Sequence, residues 1–155
     1  MHIRFACDRD IPGMIELLKQ VGEVHHQIRP DLFRSGAQKY DEAALSALLK
    51  DPSRPILIAE LDGRVAGYAF CILQITENDP VLCDRKVLYI DDLCVEETLR
   101  GQGIATALYD RVLEYARELG CDAVTLNVWS GNDGAMKFYE KSGFRPQKVG
   151  MEVIL

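Results

Sequence analysis

The stretch from Val95 to Thr106 limits the architecture more than any other part of the chain. An apolar run from Lys86 ends at Val95, a short turn carries Gly101 and Gly103, and helical spacing begins near Gly103 with Ile104, Leu108 and Val112. The apolar run from Ala123 to Trp129 follows, so this region reads as strand, helix, strand. Such a passage implies a parallel pair joined by a right-handed crossover. The first N–H groups of a helix have no partner inside it, and with the helix dipole they form an anion site. Gly101 and Gly103 remove side chains where an anion must approach the backbone, and Arg100 and Thr106 add a charge and a donor. An ordinary glycine-containing turn has the same outline. A Walker loop is excluded because no Gly-Lys-Ser/Thr follows, and the third glycine of a dinucleotide fingerprint is missing.

The rest of the chain supplies the remaining layers. Residues His2 to Cys7 alternate and predict a first strand. Ile11, Met14, Ile15, Leu18 and Val21 predict a helix to about His25, and Asp41 to Leu49 predict a second. Ile56 to Leu61 and Arg64 to Ile75 predict strands joined at Asp62-Gly63, a hairpin turn. Lys86 to Val95 is apolar on both sides and predicts an interior strand. A helix closes at Gly120, another spans Asp133 to Lys141, and Phe144 and Met151 to Leu155 predict two last strands. The expected fold is α/β, a mixed sheet flanked by helices in one domain over residues 1–155.

Composition narrows the class. A formal net charge of −6 argues against a nucleic-acid surface and favours encounter with a cationic partner. The five cysteines are odd in number and contain no C-x-x-C pair, which predicts free thiols and no metal site. The start of the chain has no signal-peptide pattern, and no stretch is long enough to span a bilayer, so the expected compartment is the cytoplasm.

Two motifs carry a resemblance. Arg100-x-x-Gly103-x-Ala105 resembles the acyl-coenzyme A signature of the GNAT N-acetyltransferase superfamily, and Asn132 to Phe144 resembles that family's Asn-x-x-Ala-x-x-Phe-Tyr-Glu-Lys-x-Gly-Phe stretch. Together, in the family's strand and helix order, they extend the resemblance over nearly the whole chain. The resemblance implies acetyl transfer from acetyl-CoA to a primary amine in a ternary complex, without a metal. It implies that Arg100, Gly101, Gln102, Gly103, Ile104, Ala105 and Thr106 grip the pyrophosphate. It also implies that the pantetheine arm lies in the gap of two splayed parallel strands, along Leu93, Cys94 and Val95. A backbone N–H of Leu93 or Cys94 then meets the oxyanion, and Asn132 contacts the coenzyme. A non-catalytic acyl-CoA sensor on the same fold, or an unrelated nucleotide binder, shares part of this pattern.

By the same resemblance, Tyr139 protonates the departing thiolate; a core-packing role is the alternative. Asp91 and Asp92 interrupt an apolar strand and are the candidate bases, or else paired structural carboxylates. Strand alternation places them on opposite faces. Asp91 lies nine residues before Arg100, as does the glutamate base of polyamine-acetylating relatives, and so comes first. The region after the first helix lines the family's acceptor pocket, which makes His25, His26 and Phe33 candidate substrate contacts, with solvated histidines as the alternative. Tyr89 and Trp129 are pocket walls or core. The short apolar strand at Met151 to Leu155 would form an exposed edge that invites a homodimer.

Overall fold

The computed structural model describes residues 1–155. In chain order the elements are β1 (His2–Phe5), α1 (Ile11–Ile28), α2 (Glu42–Leu48), β2 (Ile56–Leu61), β3 (Arg64–Thr76), β4 (Arg85–Val95), α3 (Ile104–Glu118), β5 (Ala123–Leu126) and α4 (Asp133–Lys141). The sheet runs β1-β2-β3-β4-β5; its first three contacts are antiparallel and β4-β5 is parallel.

The sheet is the middle layer of three. On one face, α1 buries Ile11, Met14, Leu17 and Leu18, and α2 buries Leu45, against Ile56, Ile58, Tyr68 and Phe70. On the other, α3 buries Ile104, Leu108, Val112 and Ala116 against Leu57, Ala69, Leu88 and Ile90. The four-residue spacing of that α3 stripe is what a helix face over a sheet requires. Helix α1 runs three residues past His25, because the first obstacle is Pro30, which disfavours helical backbone at Arg29.

One irregularity decides how the site is built. Between β3 and β4 the register steps from Phe70↔Asp92 to Cys71↔Ile90, so Asp91 is an extra residue, a β-bulge. Leu88 and Ile90 face α3; after the bulge Leu93 and Val95 face it, and Cys94 faces α1. The bulge shifts the phase of alternation by one residue. It also bends the strand and increases its twist. Immediately after Ile90, paired with Leu126, β4 parts from β5. The expected strand to Trp129 therefore stops at Leu126.

The two strands expected near Phe144 and over Met151–Leu155 do not form. Pro146 lacks a backbone donor, and the open edge of β5 is only four residues long, so the tail finds no ladder in its own chain. Val149, Met151, Val153, Ile154 and Leu155 are exposed, and Arg29 pairs with Glu152 at 2.5 Å.

A charged cluster ties β1 to the start of α1. Arg4 donates to both oxygens of Asp10 at 2.8 Å and also to Glu60. Burial works to raise the Asp10 carboxyl, but Arg4 and the Cys7 N–H outweigh it and hold Asp10 below its ordinary 3.8. A carboxyl depressed on folding stabilises above its unfolded value, and that contribution is lost as pH falls through the folded value. Asp10→Asn is expected to cost about 2 kcal/mol at neutral pH, since it leaves Arg4 short of a charged acceptor. Urea melts of both forms check this: the difference should persist from neutral pH down to about 3.8 and shrink below it.

Candidate active site

The turn between β4 and α3 is shaped by its glycines. Gly101 (φ 79°) and Gly103 (φ 81°) are both left-handed, a conformation that side chains with a Cβ resist. The first intrahelical bond of α3 is Ala107 N–H to Gly103 C=O. None of the backbone N–H groups from Gly101 to Thr106 has a partner within the chain. Nothing lies within 4 Å of the space a Cβ would take at either glycine. Arg100 is tethered to this turn, its Nε donating to Val95 C=O at 3.3 Å. The result is a run of open donors at the positive end of a helix, with space in front of it. The donor set and the open space fit a pyrophosphate.

The divergence of β4 and β5 adjoins this turn. From Asp91 to Val95, β4 is paired with β3 alone, so its other edge is open. The segment sequence reasoning assigned to a pantetheine arm, Leu93, Cys94 and Val95, is this edge. Cys94 itself is buried; its Sγ donates to Leu17 C=O at 3.8 Å, and burial pushes its thiol up to about 12. That disfavours a thiolate nucleophile there.

The expected opposition of Asp91 and Asp92 is corrected by the bulge. Both line one cavity of about 370 Å³ on the α1 face, with His25, Phe33, Arg34, Lys39 and Trp129 among its walls. The two carboxylates differ in their surroundings. Asp91 Oδ2 accepts from Lys39 Nζ at 2.6 Å and from the Tyr40 hydroxyl at 3.4 Å. Burial works to lower Lys39, but the bond to Asp91 together with the charges of Asp91, Tyr40 and Asp92 outweighs it and keeps the ammonium charged above its ordinary value. Asp92 accepts from the Tyr68 hydroxyl at 2.8 Å. Desolvation nevertheless raises Asp92 above the usual carboxylate range, against the opposing pull of Tyr68, Lys39 and His25.

Tyr139 sits on α4 in an aromatic cluster with Phe138 and Phe144, at centroid distances of 5.2 and 5.5 Å. Burial, and secondarily the charge of Asp92, pushes its phenol well above the ordinary value. No hydrogen bond from its hydroxyl is present in the chain. Asn132 caps α4 as expected, its Oδ1 accepting from Ala135 N–H at 3.3 Å.

Other expectations are redistributed. His25 and Phe33 line the cavity and stack at 5.1 Å. His26 does not line it: Nδ1 lies 2.7 Å from Phe33 C=O. A carbonyl only accepts, so Nδ1 carries the proton, and His26 fastens the loop that presents Phe33. Tyr89 also lies outside the cavity, its hydroxyl accepting from Asn127 Nδ2 at 3.2 Å. Trp129 is a wall, edge-on to Phe33 at 5.4 Å. Lys39, Tyr40 and Tyr68 stand outside both motifs and were not singled out by the sequence; Arg34 lies in the segment after the first helix that the resemblance assigns to the acceptor pocket, without a role of its own. No group of three or more His, Cys, Asp or Glu side chains is placed to hold a metal. No helix is long and apolar enough to cross a membrane.

Comparison with known proteins decides the family. Residues 21–144 match the Acetyltransferase (GNAT) family. The chain belongs to the GNAT acetyltransferases. An uncharacterized N-acetyltransferase of Methanocaldococcus jannaschii is 32% identical over 102 residues, which is 66% of this chain and 44% of the relative. The chain thus spans less than half of that relative's length, and 60% of a mycobacterial one. Among solved structures, a Bacillus halodurans protein superposes with a TM-score of 0.96 at 33% identity, covering 100% of this chain and 99% of the other. An aminoglycoside N-acetyltransferase in complex with CoA shares the fold at a TM-score of 0.74 and 18% identity, covering 99% of this chain and 98% of that one. These likenesses fit the mixed five-stranded sheet and its flanking helices to the GNAT fold.

Proposed function

We propose that this GNAT chain transfers the acetyl group of acetyl-CoA to a primary amine by direct attack in a ternary complex. The observation that carries the reading is the run of open N–H donors from Gly101 to Thr106, continuous with the unpaired edge of β4. Acetyl-CoA, when bound, supplies the thioester carbonyl and a thiolate leaving group.

The chain's own residues supply the rest. The donors of the α3 N-terminus, with Arg100, hold the pyrophosphate. The open edge over Leu93, Cys94 and Val95 aligns the arm and offers a backbone donor to the oxyanion, which is stabilisation by preorganised dipoles. Asp92 takes the proton of the amine; its raised affinity for protons brings it nearer the range in which a carboxylate is an effective base at neutral pH. Asp91, bonded to Lys39, orients the acceptor side. Tyr139 stays protonated at neutral pH and hands its proton to the thiolate.

The base assignment has its own test. Asp92→Asn is expected to lower kcat/KM by about a hundredfold at neutral pH, within the range of general-base effects. The loss should shrink as pH rises and more of the free amine is already neutral. A pH-rate series by CoA-thiol release checks this; a loss flat with pH would make Asp92 a structural group.

A homodimer belongs to the same reading. The exposed apolar tail from Val149 to Leu155 is the support, because a monomer seldom leaves such a stretch uncovered. Light scattering at micromolar concentration should give about twice the 17.4 kDa of one chain, and the monomer mass would contradict it.

A further inference from the structure

The cavity that holds Asp91 and Asp92 has a charge arrangement that the acidic balance of the chain does not foretell. Asp91 is already matched by Lys39, whose ammonium also lies 5.4 Å from the centre of the Tyr40 ring. The chain has therefore placed its own primary ammonium where a second cation of a polyamine would be drawn. Arg34 also lines the cavity, and its guanidinium has no ion pair or hydrogen bond in the chain. Arg29, the neighbouring cation, differs: it is held by Asp31 and Glu152 and stands 5.9 Å from the Trp129 ring. What remains for a ligand is one carboxylate, Asp92, one free guanidinium, Arg34, and an aromatic wall of His25, Phe33 and Trp129.

The wall is held in place by a tight contact. A Cβ at Gly22 of α1 would lie 2.6 Å from Ala37 C=O, so only glycine lets the loop carrying Arg34 and Lys39 pack this close. The His26 to Phe33 bond fastens the same loop further along.

Resting on the acetyl-transfer reading, we infer that the acceptor carries one amine and one carboxylate on an apolar or aromatic body, an amino acid or short peptide, and that Lys39 selects against polyamines. The amine approaches Asp92, the carboxylate meets Arg34, where a guanidinium offers a bidentate fork, and the body lies on the aromatic wall. The amine, its ammonium proton passed to Asp92, attacks the thioester carbonyl and forms the new carbon–nitrogen bond. The tetrahedral intermediate then collapses as the carbon–sulfur bond breaks, and Tyr139 protonates the departing sulfur. The proton that the nitrogen sheds on becoming an amide goes to water, from which Tyr139 is reprotonated.

Acetylation kinetics with three acceptors test this: phenylalanine, its decarboxylated counterpart phenethylamine, and the polyamine spermidine. Phenylalanine should exceed both others in kcat/KM by at least about tenfold, a factor worth about 1.4 kcal/mol. Arg34→Gln should collapse the preference for phenylalanine over phenethylamine, mainly through KM, and Arg34→Lys should restore part of it. Lys39→Met, which frees Asp91, should shift preference toward spermidine. Turnover with phenethylamine or spermidine equal to or better than phenylalanine overturns this inference and leaves acetyl transfer standing. So does a preference untouched in Arg34→Gln. Absence of CoA release with every amine tested, in protein that binds acetyl-CoA, overturns the acetyl-transfer reading itself and this inference with it.

Discussion

Gly103→Asp is expected to weaken acetyl-CoA binding by at least about tenfold, or 1.4 kcal/mol, and to leave the fold intact. Gly103 is the N-cap of α3 at φ 81°, and no atom outside its chain neighbours lies within 4 Å of the place a Cβ would take. Aspartate is among the few residues that visit this backbone region, and the strain costs about 1 kcal/mol. The damage falls on the ligand: the carboxylate projects into the space in front of the free N–H groups and repels a pyrophosphate. Gly103→Asn separates the two effects, since it keeps size and backbone tolerance and removes the charge. Titration calorimetry should rank wild type, asparagine and aspartate in falling affinity. Equal affinities in folded proteins would take the anion away from this turn.

Tyr139→Phe is expected to lower turnover by about ten- to a thousandfold while acetyl-CoA affinity changes little. The ring packs between Phe138 and Phe144, so its replacement by another phenyl ring preserves the cluster. The hydroxyl makes no bond in the chain, so its loss leaves no buried partner unsatisfied. An interaction made chiefly with the departing thiolate belongs to the transition state, and its removal appears in kcat. Slowed turnover with intact coenzyme binding fits the acid role. An unchanged rate assigns the proton to water or another group.

The anion turn was legible because its chemistry is local: two glycines and the onset of helical spacing lie within a few residues of each other. The order of helices and the first four strands was legible for the same reason, since periodicity reports which face each segment buries. The two carboxylates were not. Alternation places Asp91 and Asp92 on opposite faces, and only the pairing of Phe70 with Asp92 and Cys71 with Ile90 reveals the extra residue that brings both to one side. A bulge is a property of two strands in register, and one strand's pattern does not contain it. One trace was present: Leu88 and Ile90 are followed by Leu93 and Val95, an apolar pattern that slips by one. The segment holding Lys39 and Arg34 was legible only as a region of the acceptor pocket, and the two side chains themselves were not, for a different reason. They lie in an irregular loop between α1 and α2, where no periodicity marks which side chain faces a cavity. The tail from Met151 to Leu155 has strand composition without a strand, because composition states a preference and a ladder needs a partner edge.

The central claim is direct transfer of an acetyl group from acetyl-CoA to an amine, without an acylated chain. Mass spectrometry of one reaction mixture reads both halves of it. Protein is incubated with acetyl-CoA alone, then with an amine panel that includes amino acids, and the chain and the small molecules are weighed. The account requires a chain of unchanged mass before the amine is added, and an N-acetylated amine with matching free CoA afterwards. An acetylated chain that the amine then discharges would contradict direct transfer. Bound acetyl-CoA with no acetylated product from any amine would contradict the enzyme and leave a sensor.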